Sequence, residues 1–321
     1  MISVNERSAA IVREMIGDAE ALGLAVRQVD GGGVIVDAGV EVPGSLEAGR
    51  LFAEACLGGL GNVVIRELEF GDLNIPGVEV EVSQPSVACM ASQYAGWAIT
   101  LDQEPDEPRF LGLGSGPARA RYRGEPLFED LTYVDPVAAA VLALETRDLP
   151  PDGLVRWLAA KCNAKPQDVY VLVAPTASIV GSVQIAARIV ETGLHKMHEL
   201  GYQIDRIISG FGTCPLASVA GNDLTALGWT NDVVLYGGRV WYTVQDEDSV
   251  LAQMVERLPS ASSRDYGARF EELWEGYGGD FYEIDPLLFS PAEVWLNNVE
   301  TGRTFKAGGV DTALFRHVFE S

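Results

Sequence analysis

The residues best suited to chemistry gather in one stretch, "VYVLVAPTASIVGSVQIAARIVETGLHKMHELGY", from Val169 to Tyr202. It opens as an apolar strand, passes through small and hydroxyl residues, and continues with the 3.6-residue period of an amphipathic helix. From about Val183, the residues Ala186, Ile189, Val190, Gly193, Leu194 and Met197 fall on one side. Gln184, Arg188, Glu191, His195 and Glu199 fall on the other, at spacings of three and four. Three chemistries are open to that polar side. The plainest is a solvated face laced with i,i+3 and i,i+4 pairs, and spacing alone favours it. A metal site from Glu191, His195 and Glu199 is the second. The chain holds only 3 histidines and no HExxH or carboxylate–histidine partner helix, so His195 and His198 read as surface or helix C-terminal residues favoured by the dipole. The third is catalysis. Arg188, one turn from Glu191, favours the ionised carboxylate, and an ionised, oriented carboxylate can take a proton from water.

A second candidate is "GLGSGPARAR", Gly112 to Arg121. Glycines let backbone N–H groups approach an anion or a flat ligand closely, and Arg119 and Arg121 supply charge. The third glycine is misplaced for a dinucleotide fingerprint and no clear helix is expected to open there. The Gly-Lys-Ser/Thr ending of a phosphate loop is absent. Ser115 is flanked two residues away on either side by Leu113 and Pro117, which rules out a nucleophile elbow. A tight structural turn explains the stretch equally well.

These residues need a frame, and the pattern along the chain supplies an α/β one. A first helix is expected near residues 5–23, followed by strands "LAVRQVD" and "GVIVDAG" about the turn Asp30–Gly33. Ser45 should cap a helix over "LEAGRLFAEAC", with glycines at its end. "NVVIRELEF" and "VEVEVSQ" read as strands, and "PSVACMASQYAGW" as a helix entered at Pro85 and broken at Gly96. "QEPDEPRF", 103–110, is a polar connector. "PVAAAVLALET" is apolar enough for a strand or a buried helix. "LPPDGLVRWLAAKCNAKPQD" is a helix bounded by prolines. "NDVVLYGGRVWYTV" signals a hairpin about Gly237–Gly238, and "AEVWLNNVETGRTFKAGG" one about Thr301–Gly302. No fixed-period repeat is visible. The expectation is an α/β protein of two lobes with mixed sheets and helices, divided approximately as 1–102 and 109–321, the C-terminal hairpin packing back on the first.

Composition narrows the function. A chain of 321 residues with 47% hydrophobic and 21% charged residues can bury a large core. A formal charge of −23, with no basic run, argues against nucleic-acid binding. Cys56, Cys89, Cys162 and Cys214 lack CxxC spacing and read as reduced, buried thiols. The N-terminal "MISVNERSAAIVREMIGDAEALG" has no signal-peptide apolar region, and no apolar run is long enough to cross a membrane. A cytoplasmic protein is expected.

The stretches "LEAGRLFAEACLGGLG", "SQYAGW", "GSGPARA", "LVAPTASIVGSVQIAARIVETG", "TNDVVLYGG", "LPS", "DYGARF" and "DFYEIDPLLFSPAEV" together resemble methenyltetrahydromethanopterin cyclohydrolases over essentially the full length. The resemblance implies two α/β lobes with the substrate pocket between them, assembled as a homotrimer. It implies reversible hydration of a cationic methenyl carbon bridging two nitrogens, opening to the N5-formyl compound, with no metal and no permanently bound cofactor. Such a carbon is already electrophilic; the reaction needs a positioned water, a base and a dry pocket. By the same resemblance the catalytic arginine falls on Arg188 and the general base on Glu191. The segment at the attacking water or formyl oxygen falls on Gln93, Tyr94 and Ala95. Gly114, Ser115, Gly116 and Arg119 would line the pterin pocket. His195 and Glu199 become bystanders. One departure stands out: Trp229 occupies a position where the family leads one to expect arginine, which would alter either the fit of the substrate's tail or a subunit contact. A cyclohydrolase acting on a folate-type methenyl cofactor, and a non-catalytic pterin- or anion-binding protein, remain open beside this reading.

Overall fold

The computed structural model describes residues 2–102, 109–280 and 283–320. Along the chain, α1 (Val4–Gly17) and α2 (Ala19–Leu22) precede β1 (Ala25–Gln28), β2 (Val34–Asp37) and α3 (Leu46–Cys56). Strands β3 (Gly61–Phe70) and β4 (Leu73–Ser83) lead to a π-helical segment, Ser86–Gln93. There follow β5 (Trp97–Leu101), β6 (Phe110–Ser115), α4 (Ala118–Tyr122), β7 (Ala140–Glu145), α5 (Gly153–Cys162), β8 (Val169–Ala174), α6 (Ile179–Ala186) and α7 (Ile189–Glu199). The last third holds β9 (Ile207–Pro215), α8 (Asp223–Asp232), β10 (Arg239–Val244), α9 (Asp248–Val255), α10 (Phe270–Gly276), β11 (Glu293–Asn298), β12 (Thr304–Gly308) and α11 (Thr312–Phe315).

The chain forms two compact units, Met1–Gly61 with Val87–Gln184, and Asn62–Ser86 with Ile185–Ser321. The units are interleaved along the chain, whereas the sequence-based division placed a single break between 102 and 109. A β3–β4 excursion that pairs with β9 accounts for the difference: this strand pair belongs with sequence-distant partners. Of the connector expected at 103–110, residues 103–108 lie outside the described residues.

The first unit is built on a mixed sheet ordered β1-β2-β8-β7-β6-β5. Its centre, β2-β8-β7, is parallel, and β1, β6 and β5 add antiparallel edges. The period of two sorts the side chains between layers. Val34, Val36, Val141, Ala143, Leu172 and Ala174 pack with Val12 and Met15 of α1 and with Leu51 and Phe52 of α3. Their alternates Ile35, Leu142, Leu144, Val171 and Val173 pack with Leu154, Val155 and Leu158 of α5. Burial on both faces is why these strands read as unbroken apolar runs. "AVLALE" is a strand for the same reason: it is 6 residues long and takes its place beside β8. Truncating a central side chain such as Leu142, wholly buried, would cost roughly 2–5 kcal/mol.

Local signals behaved as their chemistry requires. Ser45 caps α3, its hydroxyl accepting from the Ala48 N–H at 3.1 Å. β1 and β2 pair antiparallel, and Gly31 and Gly32 hold φ of 103° and 105° in the connecting turn.

The second unit carries the sheet β12-β11-β10-β9-β4-β3, with β10 and β11 parallel. The hairpin at Thr301–Gly302 is present: β11 and β12 pair antiparallel and Gly302 sits at φ 73°. The hairpin expected at Gly237–Gly238 is not. Val233–Gly237 is π-helical and continues α8, and only β10 follows. A type I′ turn needs positive φ at its central residues, and Gly238 has φ −70°. A Cβ on Gly237 would lie 2.9 Å from the Pro215 side chain, so that glycine serves close packing, not reversal.

Candidate functional site

Arg188 and Glu191 sit in the second unit, and the predicted single helix carrying them is two helices. α6 ends at Ala186 and α7 begins at Ile189, so Arg188 occupies the break as the residue capping α7. Its carbonyl accepts from both the N–H and the hydroxyl of Thr192, each at 2.8 Å. The sequence showed no proline or glycine at the break, which explains why periodicity ran through it.

Glu191 falls in the first turn of α7 and is 6% exposed. The solvated-face reading therefore fails for this residue. Its neighbours Ile189 and Val190 seat the same turn on the sheet. Gly210 and Gly212 of β9 leave no side chain beneath the helix: a Cβ on Gly210 would lie 2.5 Å from Val190, and one on Gly212 2.7 Å from Ile189. Tyr242 of β10 donates to the Val190 carbonyl at 2.6 Å. The first turn of α7 is thus held against bare backbone, and its N–H groups and dipole favour negative charge where the Glu191 carboxylate stands. Arg188, half-buried, lies one turn upstream. A buried carboxylate with a cation one turn upstream is an arrangement chemically able to accept a proton.

The remaining residues of α7 separate by role. His195 and His198 each lie 3.7 Å from Glu199, at the partly exposed end of the helix. A rise of about 1.5 Å per residue puts Glu191 and Glu199 roughly 12 Å apart along the axis, too far for one ion. Among the described residues no group of three or more His, Cys, Asp or Glu is placed to hold a metal. Lys196, which the sequence did not single out, is 1% exposed. Its ammonium donates to the Pro259 carbonyl and the Ser262 hydroxyl, both at 2.9 Å. Burial pushes its pKa down to about 8, with Asp285 opposing and Arg257 reinforcing the shift.

The other seven candidates belong to the first unit. Gln93, fully buried, ends the π-helical segment, and Tyr94 and Ala95, half-buried, follow it before β5. The helix expected to run to Gly96 stops at Gln93 and is widened: the Tyr94 N–H reaches the Cys89 carbonyl at 2.7 Å. Widened helical turns of this kind occur frequently at functional sites. Gly114, Ser115 and Gly116 are buried at the end of β6, where a Cβ on Gly114 would lie 3.0 Å from Ile99. Gly116, at φ 91°, donates its N–H to the Ser92 carbonyl at 2.8 Å. A short helix, α4, does open after this turn, contrary to the expectation. Proline at 117 and alanines at 118 and 120 suffice to start it despite the weak periodicity. Arg119, on α4, is fully buried and paired with Glu125, a residue the sequence reading missed.

At the carboxyl ends of β7 and β8, where ligands of α/β sheets gather, Glu145 accepts from the Thr176 hydroxyl at 2.5 Å and from Gln184 Nε2 at 3.2 Å. This cluster also escaped the sequence reading, since Glu145 closes an otherwise apolar strand with no motif around it. Trp229 stands half-buried on α8. No helix among the described residues is long and apolar enough to cross a membrane.

Two mixed sheets flanked by helices define an α/β protein, with a buried carboxylate in the first turn of one helix. The chain belongs to the cyclohydrolase (MCH) family, whose model it matches over residues 3–319. It is 38% identical to the methenyltetrahydromethanopterin cyclohydrolase of Methanococcoides burtonii, covering 99% of this chain and 98% of that one. It is 42% identical to the protein of the same name from Xanthobacter autotrophicus, over 99% and 93% of the two chains. With that of Methanocaldococcus jannaschii the identity is 38% over 98% of each.

Proposed function

We propose that this protein interconverts 5,10-methenyltetrahydromethanopterin plus water with N5-formyltetrahydromethanopterin, using Glu191 as general base. What carries the reading is the burial of Glu191 in the first turn of α7, directly after Arg188, in a chain alike to named cyclohydrolases along its full length. In the hydration direction, water bound near Arg188 gives a proton to Glu191 as its oxygen bonds to the cationic methenyl carbon. The bond from that carbon to N10 then breaks, N10 takes the proton from Glu191, and the adduct's hydroxyl proton leaves to solvent. One proton is released overall. Gln93, Tyr94 and Ala95 meet the attacking water or the formyl oxygen in this scheme. A low-dielectric setting strengthens each of these interactions. Resemblance to the family further supports a cytoplasmic homotrimer, which sedimentation at micromolar concentration would test.

The deciding experiment follows the methenyl chromophore spectrophotometrically after protein is added, without added metal, to the methanopterin and folate forms separately. Loss with the methanopterin form alone is expected. Loss with the folate form alone moves the enzyme to another one-carbon carrier, and loss with neither reduces it to a binding protein.

A further inference from the structure

We propose that Arg119 and Glu125 are positioning residues: together they clamp the Gln93–Ala95 segment in the conformation it needs, and Arg119 does so without touching substrate. The inference rests on the proposed function for the role of that segment, but its geometry stands independently. Arg119 has no exposed surface. Its Nε and Nη2 donate to the two carboxylate oxygens of Glu125 at 2.8 and 2.7 Å, a two-point fork. Its Nη1 donates to the carbonyls of Met90 at 2.9 Å and Ser92 at 3.2 Å. These carbonyls lie at the end of the π-helical segment, where backbone acceptors lose their intrahelical partners.

The same guanidinium lies over two rings, its carbon 5.0 Å from the Tyr94 centroid and 5.3 Å from that of Phe128. Gly96 completes the closure: a Cβ there would fall 2.5 Å from the Tyr94 ring and would collide with the Glu125 carboxylate. Four hydrogen bonds and two ring faces leave the cation fully engaged within the fold, so its sequence-based assignment to the pterin pocket gives way to one behind the pocket residues. A hydrophobic pair of similar volume commonly packs as stably as a buried ion pair. Such a pair could not bind two helix-end carbonyls and orient a tyrosine ring at once, and lysine lacks the planar fork to do so.

The test compares wild type with Glu125→Gln, Arg119→Lys and Glu125→Asp, reading amide hydrogen exchange and turnover together. The Tyr94 amide, bonded to Cys89, and the Gly116 amide, bonded to Ser92, are the probes. In folded Glu125→Gln and Arg119→Lys both amides should exchange at least about tenfold faster while those of β8 do not change. The same variants should lose roughly tenfold to a hundredfold in kcat, with KM within about twofold, as expected when reacting groups are misplaced. Glu125→Asp, which keeps the charge, should recover most of both. Unchanged exchange at Tyr94 and Gly116 in either folded variant overturns the clamp. So does faster exchange with unchanged kcat. Wild type inactive on either methenyl pterin would instead sink the proposed function, while the exchange measurement would still decide whether the pair holds the segment.

Discussion

The hydroxyl of Tyr242 donates to the main-chain carbonyl of Val190 across 2.6 Å, and both residues are completely buried. This bond joins the middle of β10 to the first turn of α7, one residue before Glu191. Removing it with Tyr242→Phe should lower stability by about 1–2 kcal/mol, the value of a buried hydrogen bond whose acceptor loses a partner. Turnover should fall several-fold, because the turn carrying Glu191 loosens. Urea unfolding and initial rates check the two effects. A variant as stable as wild type would show that packing alone seats the helix.

Glycines at the α7 contact make a sharper demand. Gly210→Ala places a methyl 2.5 Å from Val190, so either the helix or the strand must move. Overpacking of this kind costs about 1–3 kcal/mol. Gly221 has no atom within 4 Å of its virtual Cβ, and Gly221→Ala serves as the control. The expected pattern is a lower unfolding midpoint and a lower kcat for Gly210→Ala only. Equal behaviour of the two variants would refute close approach as the reason for glycine at 210.

Glu191→Gln preserves shape and removes the carboxylate proposed as the base. Its kcat should drop by roughly 10²–10⁴, the usual share of a positioned proton acceptor, with the unfolding curve little altered. Arg188→Lys should also impair turnover, since in the proposed mechanism a point charge would not replace a planar fork at the bound water. His195→Ala, at the exposed end of α7, should leave kcat within about twofold, in keeping with a partly exposed His–Glu pair. Near-normal turnover by Glu191→Gln would remove the base assignment.

What was legible in the sequence is what local chemistry decides. Ser45, the Gly31–Gly32 turn and the Thr301–Gly302 turn each act within a few residues, and each is where the sequence placed it. The failures share a different cause. Val233–Gly237 carries β-forming residues but completes a helix, because its neighbours in space bury it on all sides. The break at Ala187–Arg188 carries no breaker residue. The purpose of Gly210 and Gly212 appears only when α7 lies upon them. The pair Arg188 and Glu191 was visible as two charges one turn apart. That Glu191 is buried was not, since helical periodicity assigns it to the polar side. At Arg119 a charge near glycines suggested a ligand; its bonds to Glu125 and the Met90 carbonyl were not legible, because they join residues 6 and 29 positions away.

Lys196 should make stability depend on pH in a defined direction. Its pKa in the folded protein, about 8, lies below the ordinary lysine value of 10.5, so the unfolded chain binds the proton more tightly. The penalty for charging the buried amine is fully present below pH 8 and is relieved as pH rises towards 10.5. Raised pKa values at Tyr236 and Cys214 work in the opposite sense at high pH, so the wild-type curve alone mixes the contributions. The difference between wild type and Lys196→Met isolates the amine, because methionine does not titrate. From pH 7 to 9.5 wild type should gain about 2 kcal/mol relative to the variant, from a shift of this size at 1.36 kcal/mol per unit. Denaturant unfolding of both proteins at the two pH values measures it. A constant difference would mean that the amine stays charged in the fold, held by the Pro259 carbonyl and the Ser262 hydroxyl.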